Sequence, residues 1–386
     1  MRHPLKTVVV TTFIFIASLA QAFDSKTFQP QSLVSTGDLS RVWQAMSKAQ
    51  RGEKVTVAVI GGSITQGAKA TQPELRYGNL VADWWRKAFP KAQIEFVNAG
   101  VGATGSNFAA LRAQRDLLSH NPDFVVVEFG VNDGNTQTAA ETLEGLIRQI
   151  LRQPNQPAVV QLFMMHTGGG NAQEWHSKVG AHYNLPIVSY RDALWPEIKA
   201  NRLAWDAVMA DEVHPNDAGH ACAAEFVDYL LEIAKKRMAA PTAIKPLPAP
   251  LFSDLYEHTS LFEAADLKPL RNSGWTLDKT WKNWVSDKPG SVIEFEINGT
   301  AIFSMHFVVK RSMGKAKLQV DGGAPVVYDG WFNQTWGGYR CTNLLAKDLK
   351  PGKHIVRIEL LEEKNPGSDG HEFRLYGLGS AGVTQQ

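Results

Sequence analysis

Short apolar runs that alternate with helix-like segments are the feature that most constrains the fold of this chain. Five runs carry few polar residues, at 55–60, 94–97, 124–129, 159–165 and 187–190. Segments with helical character flank or separate them, at 38–49, 77–89, 108–119, 139–151, 172–182 and 218–236. Strands that are apolar on both faces are typical of parallel sheets covered by helices. We therefore predict a three-layer α/β/α domain with a parallel sheet.

The alternation stops at the segment 241–250, whose four prolines favour a stiff, extended linker. Beyond it, apolar and polar residues alternate in short stretches such as SVIEFEI and HIVRIELLE, separated by Gly, Pro, Asn and Asp. This pattern is typical of an antiparallel β-sandwich. The sequence thus predicts an α/β domain over 23–240, a linker over 241–250 and a β-sandwich over 251–386.

The first 22 residues have the features of a secretory signal peptide. Arg2 and Lys6 precede a short apolar stretch over 8–19, and Ala20-Gln21-Ala22 fits a cleavage site. We expect a secreted or periplasmic protein. No later stretch is long and apolar enough to cross a bilayer.

Charge and cysteine content limit the partners of the mature chain. Removing residues 1–22 takes away two basic residues and no acid, so the formal net charge falls from +2 to zero. Because the mature chain also lacks a basic run, its zero net charge argues against nucleic acid or an anionic membrane as the main partner. Cys222 and Cys341 lie far apart in sequence. An exported chain could pair them, but two free thiols are slightly preferred. The oligomeric state stays open.

The stretch VTVAVIGGSITQG, residues 55–67, leaves a predicted strand through Gly61 and Gly62 and reaches Ser63 at the corner. It lacks the glycines of a dinucleotide-binding fingerprint, and Ala68 stands where a P-loop requires lysine. A helix cap is the simplest role for such a serine. A nucleophile is the alternative, because ligands bind beyond the carboxyl ends of strands in open α/β sheets.

A nucleophilic serine needs a base and donors for the oxyanion. Asp211 and His214, in MADEVHPNDAGH, are three residues apart, so both side chains can face one way. Two further loops follow predicted strands: the glycine-rich NAGVGATGS and the loop GVND, which contains Asn132. Backbone and Asn amides are the donors that oxyanion holes use. A G-x-S-x-G elbow is excluded, since Thr65 replaces the second glycine.

The four blocks GGSIT, NAGVGATGS, GVND and DEVH occur in order over about residues 55–220, and in this the chain resembles the SGNH hydrolase superfamily of GDSL-like esterases. GGSIT departs from Gly-Asp-Ser-Leu but keeps the serine. The resemblance implies that Ser63 is the nucleophile, His214 the base and Asp211 its orienting carboxylate. It implies an oxyanion hole of the Ser63 N–H, the Gly102 N–H and Asn132, with Gly100 or Ala103 as alternatives to Gly102.

Other polar residues receive more modest predictions. We expect Asp133 to bond neighbouring loop amides and His220 to lie on the last helix in a structural role. The glycine-rich loop over 166–171 is interpreted either as a plain connector or as part of an acyl or sugar pocket. No metal-binding spacing accompanies the acids and histidines, so we predict no metal and no cofactor.

The hypothesis that follows is an exported serine esterase that removes O-acetyl groups from a carbohydrate. Five tryptophans of the second domain favour sugar contacts, because flat aromatic faces suit sugar rings, although packing explains at least half of them: Trp275, Trp281, Trp284, Trp331 and Trp336. The second domain is therefore a candidate carbohydrate-binding domain. A lipase, a thioesterase, a glycan O-acyltransferase and a non-catalytic carbohydrate-binding protein are the alternatives.

Overall fold

The computed structural model describes residues 24–240 and 243–382. The predicted signal peptide lies outside the described residues and stays a prediction. Among the described residues, no helix combines the length and the apolar character that a membrane crossing requires.

The first domain is built on a six-stranded sheet in the order β1-β6-β5-β4-β2-β3, in which β1 alone runs antiparallel to its neighbour. The strands are β1 (Leu33–Ser35), β2 (Lys54–Gly61), β3 (Gln93–Gly100), β4 (Phe124–Glu128), β5 (Ala158–Phe163) and β6 (Ile187–Ser189). The helices are α1 (Gln29–Ser32), α2 (Ser40–Gln50), α3 (Ser63–Gln66), α4 (Tyr77–Ala88), α5 (Ser106–Asp116), α6 (Gln137–Leu151), α7 (Gln173–His182), α8 (Tyr190–Lys199) and α9 (Asp217–Lys236).

Helices cover both faces of this sheet, which confirms the predicted three layers. Helices α2, α4, α8 and α9 pack on one face, against side chains such as Val57 and Val126. Helices α5, α6 and α7 pack on the other, against side chains such as Ile60 and Val127. Successive residues of one strand enter opposite cores, which explains why the strands are apolar throughout.

The apolar run over 187–190 predicts a strand to Tyr190, and helix α8 is not predicted. In the structure the strand ends at Ser189, whose hydroxyl accepts a hydrogen bond from the Asp192 N–H at 3.0 Å and caps the new helix. The apolar run continues across this cap because Tyr190, Ala193 and Leu194 are also buried. Apolar content alone therefore does not reveal where the strand stops.

The second domain is a β-sandwich, as predicted. One sheet has the order β15-β12-β17-β10-β9, with β7 also paired to β17, and the other has the order β14-β13-β16-β11-β8. The strands are β7 (Thr259–Glu263), β8 (Arg271–Ser273), β9 (Thr276–Asp278), β10 (Asn283–Ser286), β11 (Val292–Asn298), β12 (Ala301–Val308), β13 (Lys315–Val320), β14 (Val326–Asp329), β15 (Tyr339–Ala346), β16 (Lys353–Leu360) and β17 (Phe373–Ala381).

The sheet that contains β12 and β17 packs on the helical layer of the first domain. Phe108 of α5 contacts Met305 and Tyr376. Leu111, one turn later, lies against Gly379, where an added Cβ would come 2.7 Å from the leucine side chain. The two domains thus share an apolar interface along α5.

The segment before β7 is also fixed to the first domain. The Glu144 carboxylate accepts hydrogen bonds from the backbone N–H groups of Phe252 and Ser253 at 2.8 and 3.2 Å. Arg148 pairs with Glu257 at 2.8 Å and donates to the Pro248 carbonyl at 2.9 Å. The described part of the proline-rich segment therefore runs along α6. The predicted boundary at residue 251 stays a prediction, since contacts cross it continuously.

Arg148→Met should destabilise both domains together. The Arg148 and Glu257 side chains are only 3% and 4% exposed. Removing one partner of a buried ion pair costs about 3–5 kcal/mol, and less where a second arginine, here Arg152, also pairs with the remaining carboxylate. The free energy of unfolding from urea denaturation measures the loss. Arg51→Met, which removes an exposed pair with Glu53, is the matched control and should change little. A loss below about 1 kcal/mol for Arg148→Met would mean that the ion pair does not hold the domains.

Candidate active site

The predicted site residues lie at the carboxyl edge of the parallel sheet. Strands β2 and β3 end side by side, with Gly61 opposite Gly100, and β4 brings Glu128 beside Gly61 on the other side. The loops that follow these three strands carry Ser63, Gly102 and Asn132. The register of the sheet therefore brings three sequence blocks to one place.

Two glycines allow the chain to turn at Ser63. A side chain at Gly61 would overlap Thr65 and the Glu128 carbonyl, and one at Gly62 would overlap the Asn132 amide. Ser63 then begins the single turn α3, which ends at Gly67 with φ of 102°. As the first residue of a helix, Ser63 has a backbone N–H without an acceptor inside that helix. Both its hydroxyl and its N–H are thus presented at the edge.

The Ser63 hydroxyl is linked to a histidine and an aspartate. Ser63 Oγ lies 2.9 Å from His214 Nε2. His214 Nδ1 lies 3.0 and 2.9 Å from the two carboxylate oxygens of Asp211. Because Asp211 accepts from Nδ1–H, Nε2 is left to accept the serine proton. The structure thus brings the three predicted catalytic residues into one hydrogen-bonded chain.

The loop that holds His214 is tight and braced. The Ala210 N–H donates to the His214 carbonyl at 2.8 Å. Asp211 Oδ1 accepts from the N–H groups of Val213 and His214 at 2.9 and 2.8 Å. The Thr167 N–H donates to the Glu212 carbonyl at 2.7 Å. The glycine-rich loop over 166–171 therefore supports the histidine loop, a role that its sequence does not indicate.

Asp211 is held as a carboxylate. Burial acts to raise its pKa, but the two backbone N–H groups and the His214 imidazole outweigh burial and lower the pKa of Asp211 below its usual value. Lys69 Nζ, 3.7 Å from Oδ2, adds a positive charge nearby. An ionised Asp211 favours a protonated His214 after proton transfer.

The Asn132 side chain packs against Gly62, and its role as an oxyanion donor stays a prediction. Its Oδ1 atom is buried and has no hydrogen-bond partner among the described residues. The loop that carries Asn132 packs against the buried side chain of Glu128. Glu128 accepts a hydrogen bond from the Gly130 N–H at 3.0 Å, and burial raises the pKa of Glu128 to about 8. At neutral pH this side chain is mainly a neutral acid beneath the loop.

Asp133 connects the two loops that carry the predicted oxyanion donors. Its Oδ1 atom accepts a hydrogen bond from the Ser106 N–H at 2.9 Å, at the start of α5. Its Oδ2 atom lies 3.3 Å from Nε2 of the buried His176. The bond to a loop amide is the contact expected for Asp133, whereas nothing in the sequence indicates the contact with His176.

The Gly102 N–H already has an acceptor. It donates to Oε1 of the Gln66 side chain at 3.0 Å. Of the alternatives, the Gly100 N–H donates to Asn98 Oδ1 at 2.8 Å, and Ala103 has a φ of 56°. The choice of Gly102 as a donor stays a prediction, and Gln66 is a site residue that the sequence analysis misses.

The remaining predictions have the following outcomes. His220 lies on α9, fully buried, with Nε2 3.1 Å from the Ala68 carbonyl. Cys222 and Cys341 are free thiols. Within residues 24–240 and 243–382, no group of three His, Cys, Asp or Glu side chains is placed to hold a metal ion. The absence of a catalytic metal stays a prediction.

Comparison with known proteins defines the class. Residues 59–222 match the GDSL-like lipase/acylhydrolase family. The crystal structure of a two-domain esterase active on acetylated mannans is 33% identical, covers 93% of this chain and 99% of its own, and superposes with a TM-score of 0.87. The same esterase co-crystallised with mannopentaose gives a TM-score of 0.86. The chain belongs to the GDSL-like lipase/acylhydrolase family. This confirms the family predicted from the motif blocks and the two-domain fold predicted from the pattern of strands and helices.

Two further relatives each match less than half of this chain. An acetylxylan esterase of Xylanibacter ruminicola is 25% identical over 227 residues, 48% of this chain and 45% of that protein. Thioesterase 1/protease 1/lysophospholipase L1 of Escherichia coli K12 is 24% identical over 169 residues, 42% of this chain and 76% of that protein. The chain thus spans less than half the length of the acetylxylan esterase.

Asp211→Asn should leave the loop folded and lower kcat for ester hydrolysis on the order of 10⁴-fold. The Asn oxygen can still accept from the Val213 and His214 N–H groups, but the amide nitrogen cannot accept from His214 Nδ1–H. The imidazole is then driven to the wrong tautomer. Steady-state kinetics measures the effect, with circular dichroism as the check on folding. A kcat within tenfold of the wild type would show that Asp211 does not orient His214 in the proposed mechanism.

Proposed function

We propose that this protein is an exported serine esterase that removes O-acetyl groups from a carbohydrate. The observation that carries the chemistry is the chain of hydrogen bonds from Ser63 through His214 to Asp211. Its position beyond the strands of an α/β sheet is where ligands bind in such folds. The substrate class is supported by the two-domain relative that is active on acetylated mannans.

In the first half of the proposed reaction, Ser63 Oγ attacks the ester carbonyl carbon while its proton passes to His214 Nε2. The carbonyl oxygen becomes an oxyanion, which the Ser63 N–H, the Gly102 N–H and the Asn132 amide stabilise. The imidazolium gives its proton to the sugar oxygen as the carbon–oxygen bond breaks. The free sugar hydroxyl leaves, and the acetyl group stays on Ser63.

In the second half, water takes the place of the sugar hydroxyl. His214 accepts a proton from the water, whose oxygen attacks the acetyl carbonyl. The same donors hold the second oxyanion. Collapse of this intermediate releases acetate, and the imidazolium returns its proton to Ser63 Oγ. Each residue is restored, and no cofactor is consumed.

A cleft between the domains supports a carbohydrate substrate. It has a volume of about 340 Å³ and begins beside Asn132 and Asp133. Its opposite wall is formed by the second domain, from Tyr339 to Thr342. The Asn107 side chain donates to the Thr342 carbonyl at 3.1 Å and closes the wall onto α5. Asn132, which lines this cleft, also packs against Gly62 next to Ser63, so a sugar held there can contact both domains.

An aromatic surface extends from this cleft. Trp336 stacks on Tyr339, with ring centroids 5.7 Å apart and planes 25° from parallel, and Phe332 packs edge-on against both rings. Trp336 is 59% exposed. An exposed aromatic face held by two further rings suits stacking on a sugar ring at little cost in side-chain entropy.

Ser63→Ala should abolish acetate release from acetylated mannan and xylan, with a loss on the order of 10³-fold or more in kcat. Acetate released from a panel of acetylated glycans measures the activity and ranks the substrates. EDTA should leave wild-type activity unchanged. Activity of Ser63→Ala within tenfold of the wild type, or an EDTA effect that a divalent metal reverses, would contradict the serine mechanism. A preference for long-chain p-nitrophenyl esters over acetate would favour the lipase or thioesterase alternative.

Trp336→Ala should raise KM for an acetylated oligosaccharide about tenfold or more and leave p-nitrophenyl acetate kinetics unchanged, because only the oligosaccharide reaches the aromatic surface. The matched control is Trp281→Ala, since Trp281 is 56% exposed in the same domain but its ring lies beside Arg374, whereas Trp336 stacks on Tyr339 of the cleft wall. Equal effects of the two substitutions, or a loss on both substrates for Trp336→Ala, would contradict a substrate contact at Trp336.

A further inference from the structure

The GVND loop lies on a buried carboxyl group, that of Glu128. Glu128 is the last residue of β4 and pairs with Gly61, two residues before Ser63. Its side chain is fully buried. Its Oε1 atom accepts the Gly130 N–H at 3.0 Å, and Oε2 has no hydrogen-bond partner among the described residues. A buried carboxylate is costly unless it is paired and hydrogen-bonded, so these surroundings favour the protonated acid.

A second carboxyl group, that of Asp133, places negative charge near Glu128. The Asp133 side chain is only 6% exposed. Its Oδ1 atom accepts the Ser106 N–H at 2.9 Å, and its Oδ2 atom lies 3.3 Å from His176 Nε2. Burial raises the pKa of Glu128 to about 8, and the charge of Asp133 contributes to this rise. Because neighbouring carboxyl groups resist joint ionisation, the charge of Asp133 helps to keep a proton on Glu128.

The other titratable and charged groups around Glu128 connect it to the serine turn. Burial and the nearby Glu128 raise the pKa of Tyr77 on α4, whose hydroxyl lies 2.7 Å from Thr65 Oγ1 in the turn α3. His220 of α9 stacks on Tyr77, and burial lowers its pKa. Arg112 of α5 donates to a carbonyl of β2 from the other face of the sheet. Glu128 therefore lies beneath both the serine turn and the GVND loop.

We propose that Glu128 is a positioning residue that has to carry a proton during hydrolysis, and that Asp133 keeps this proton in place. The neutral acid accepts the Gly130 N–H and supports the GVND loop without adding a charge. Once the proton is lost to solvent, a carboxylate lies in a water-poor region near Ser63 and Asn132. There it opposes the negative charge that develops on the ester carbonyl oxygen. This inference rests on the proposed function, because it requires that an oxyanion forms beside Ser63.

The first expected result is an alkaline limit on hydrolysis by the wild type. The kcat/KM for p-nitrophenyl acetate should reach half of its plateau near pH 8 and about a tenth of it at pH 9, because a single ionisation removes the active form about tenfold per pH unit. The loss should be in kcat rather than KM, since the repulsion acts on the transition state. Spontaneous hydrolysis is subtracted, and circular dichroism at pH 9 shows whether the chain stays folded.

Two substitutions should move this limit in opposite directions. Glu128→Gln keeps an oxygen for the Gly130 N–H but cannot ionise, so kcat/KM at pH 9 should stay within about twofold of the plateau of that variant. Asp133→Asn keeps an oxygen for the Ser106 N–H and removes the charge that helps to raise the pKa of Glu128. Its half-plateau point should therefore fall below pH 8. A merely structural role would change the height of the plateau and leave the position of the limit in place.

The matched control is Asp228→Asn. Burial raises the pKa of Asp228 to about 8 as well, but Asp228 lies about three helical turns beyond the start of α9. Its ionisation takes place at the same pH without adding charge beneath the serine turn. The alkaline limit of Asp228→Asn should therefore coincide with that of the wild type. All kinetics are measured on the full chain.

The outcomes separate this role of Glu128 from the proposed function. A limit that stays near pH 8 in Glu128→Gln, a limit that moves in Asp228→Asn, or a wild-type limit that coincides with unfolding overturns the role of Glu128 alone. If Glu128→Gln does not fold, Asp133→Asn decides, and a half-plateau point at or above pH 8 overturns the role. Hydrolysis by Ser63→Ala at the wild-type rate overturns the proposed function instead.

Discussion

The register of three parallel strands is the constraint on which the rest of the site depends. Gly61 ends β2 between Gly100 of β3 and Glu128 of β4. Backbone hydrogen bonds between the strands fix this alignment, so the loops after them start from adjacent points. Any shift of register by one residue would turn every buried side chain of a strand to the other core. The close packing of side chains in both cores opposes such a shift and therefore protects the geometry of the active site.

The second domain packs beside the carboxyl edge of the first-domain sheet. Its β12–β17 sheet has one face in the sandwich core and the other on α5 of the first domain. Helix α5 begins directly after the glycine-rich loop that contains Gly102, so the apolar interface along this helix also fixes the position of the loop. The cleft beside Asn132 is formed where β15 meets this region. Substrate recognition and support of the site thus share one interface.

Much of the fold can be predicted from the sequence. Period and apolar content place β2 to β6 within a few residues, because a sheet buried on both faces leaves a strong signal, and they place α2, α4, α5, α6, α7 and α9 equally well. The short edge strand β1 (Leu33–Ser35) is not predicted. The signal fails at Tyr190, where a strand passes into a buried helix without a change in apolar content. In the second domain, short strands such as β8 (Arg271–Ser273) are exposed and lack the alternation that reveals the longer ones.

The site residues, like the fold, can be predicted only in part from the sequence. Ser63, Asn132, Asp211 and His214 can be selected because each lies in a block of recognisable chemistry at a strand end or late loop. Gln66 cannot be selected from the sequence, since its contact with Gly102 joins two segments 36 residues apart and depends on a side-chain rotamer. The contact between Asp133 and His176 is missed for a related reason, because tertiary packing alone brings α7 beneath the GVND loop.

Detection of the acyl-enzyme tests the central claim most directly. The protein is mixed with p-nitrophenyl acetate, quenched in acid within the first turnovers and digested, and the peptide that contains Ser63 is examined by mass spectrometry. In the wild type we expect one added acetyl group on Ser63, and the acetylated fraction should be highest when the acid quench comes before deacylation. In Ser63→Ala we expect no acetyl group on this peptide. An acetyl group that forms and is hydrolysed on another residue instead, or hydrolysis by Ser63→Ala at the wild-type rate, would contradict the serine mechanism.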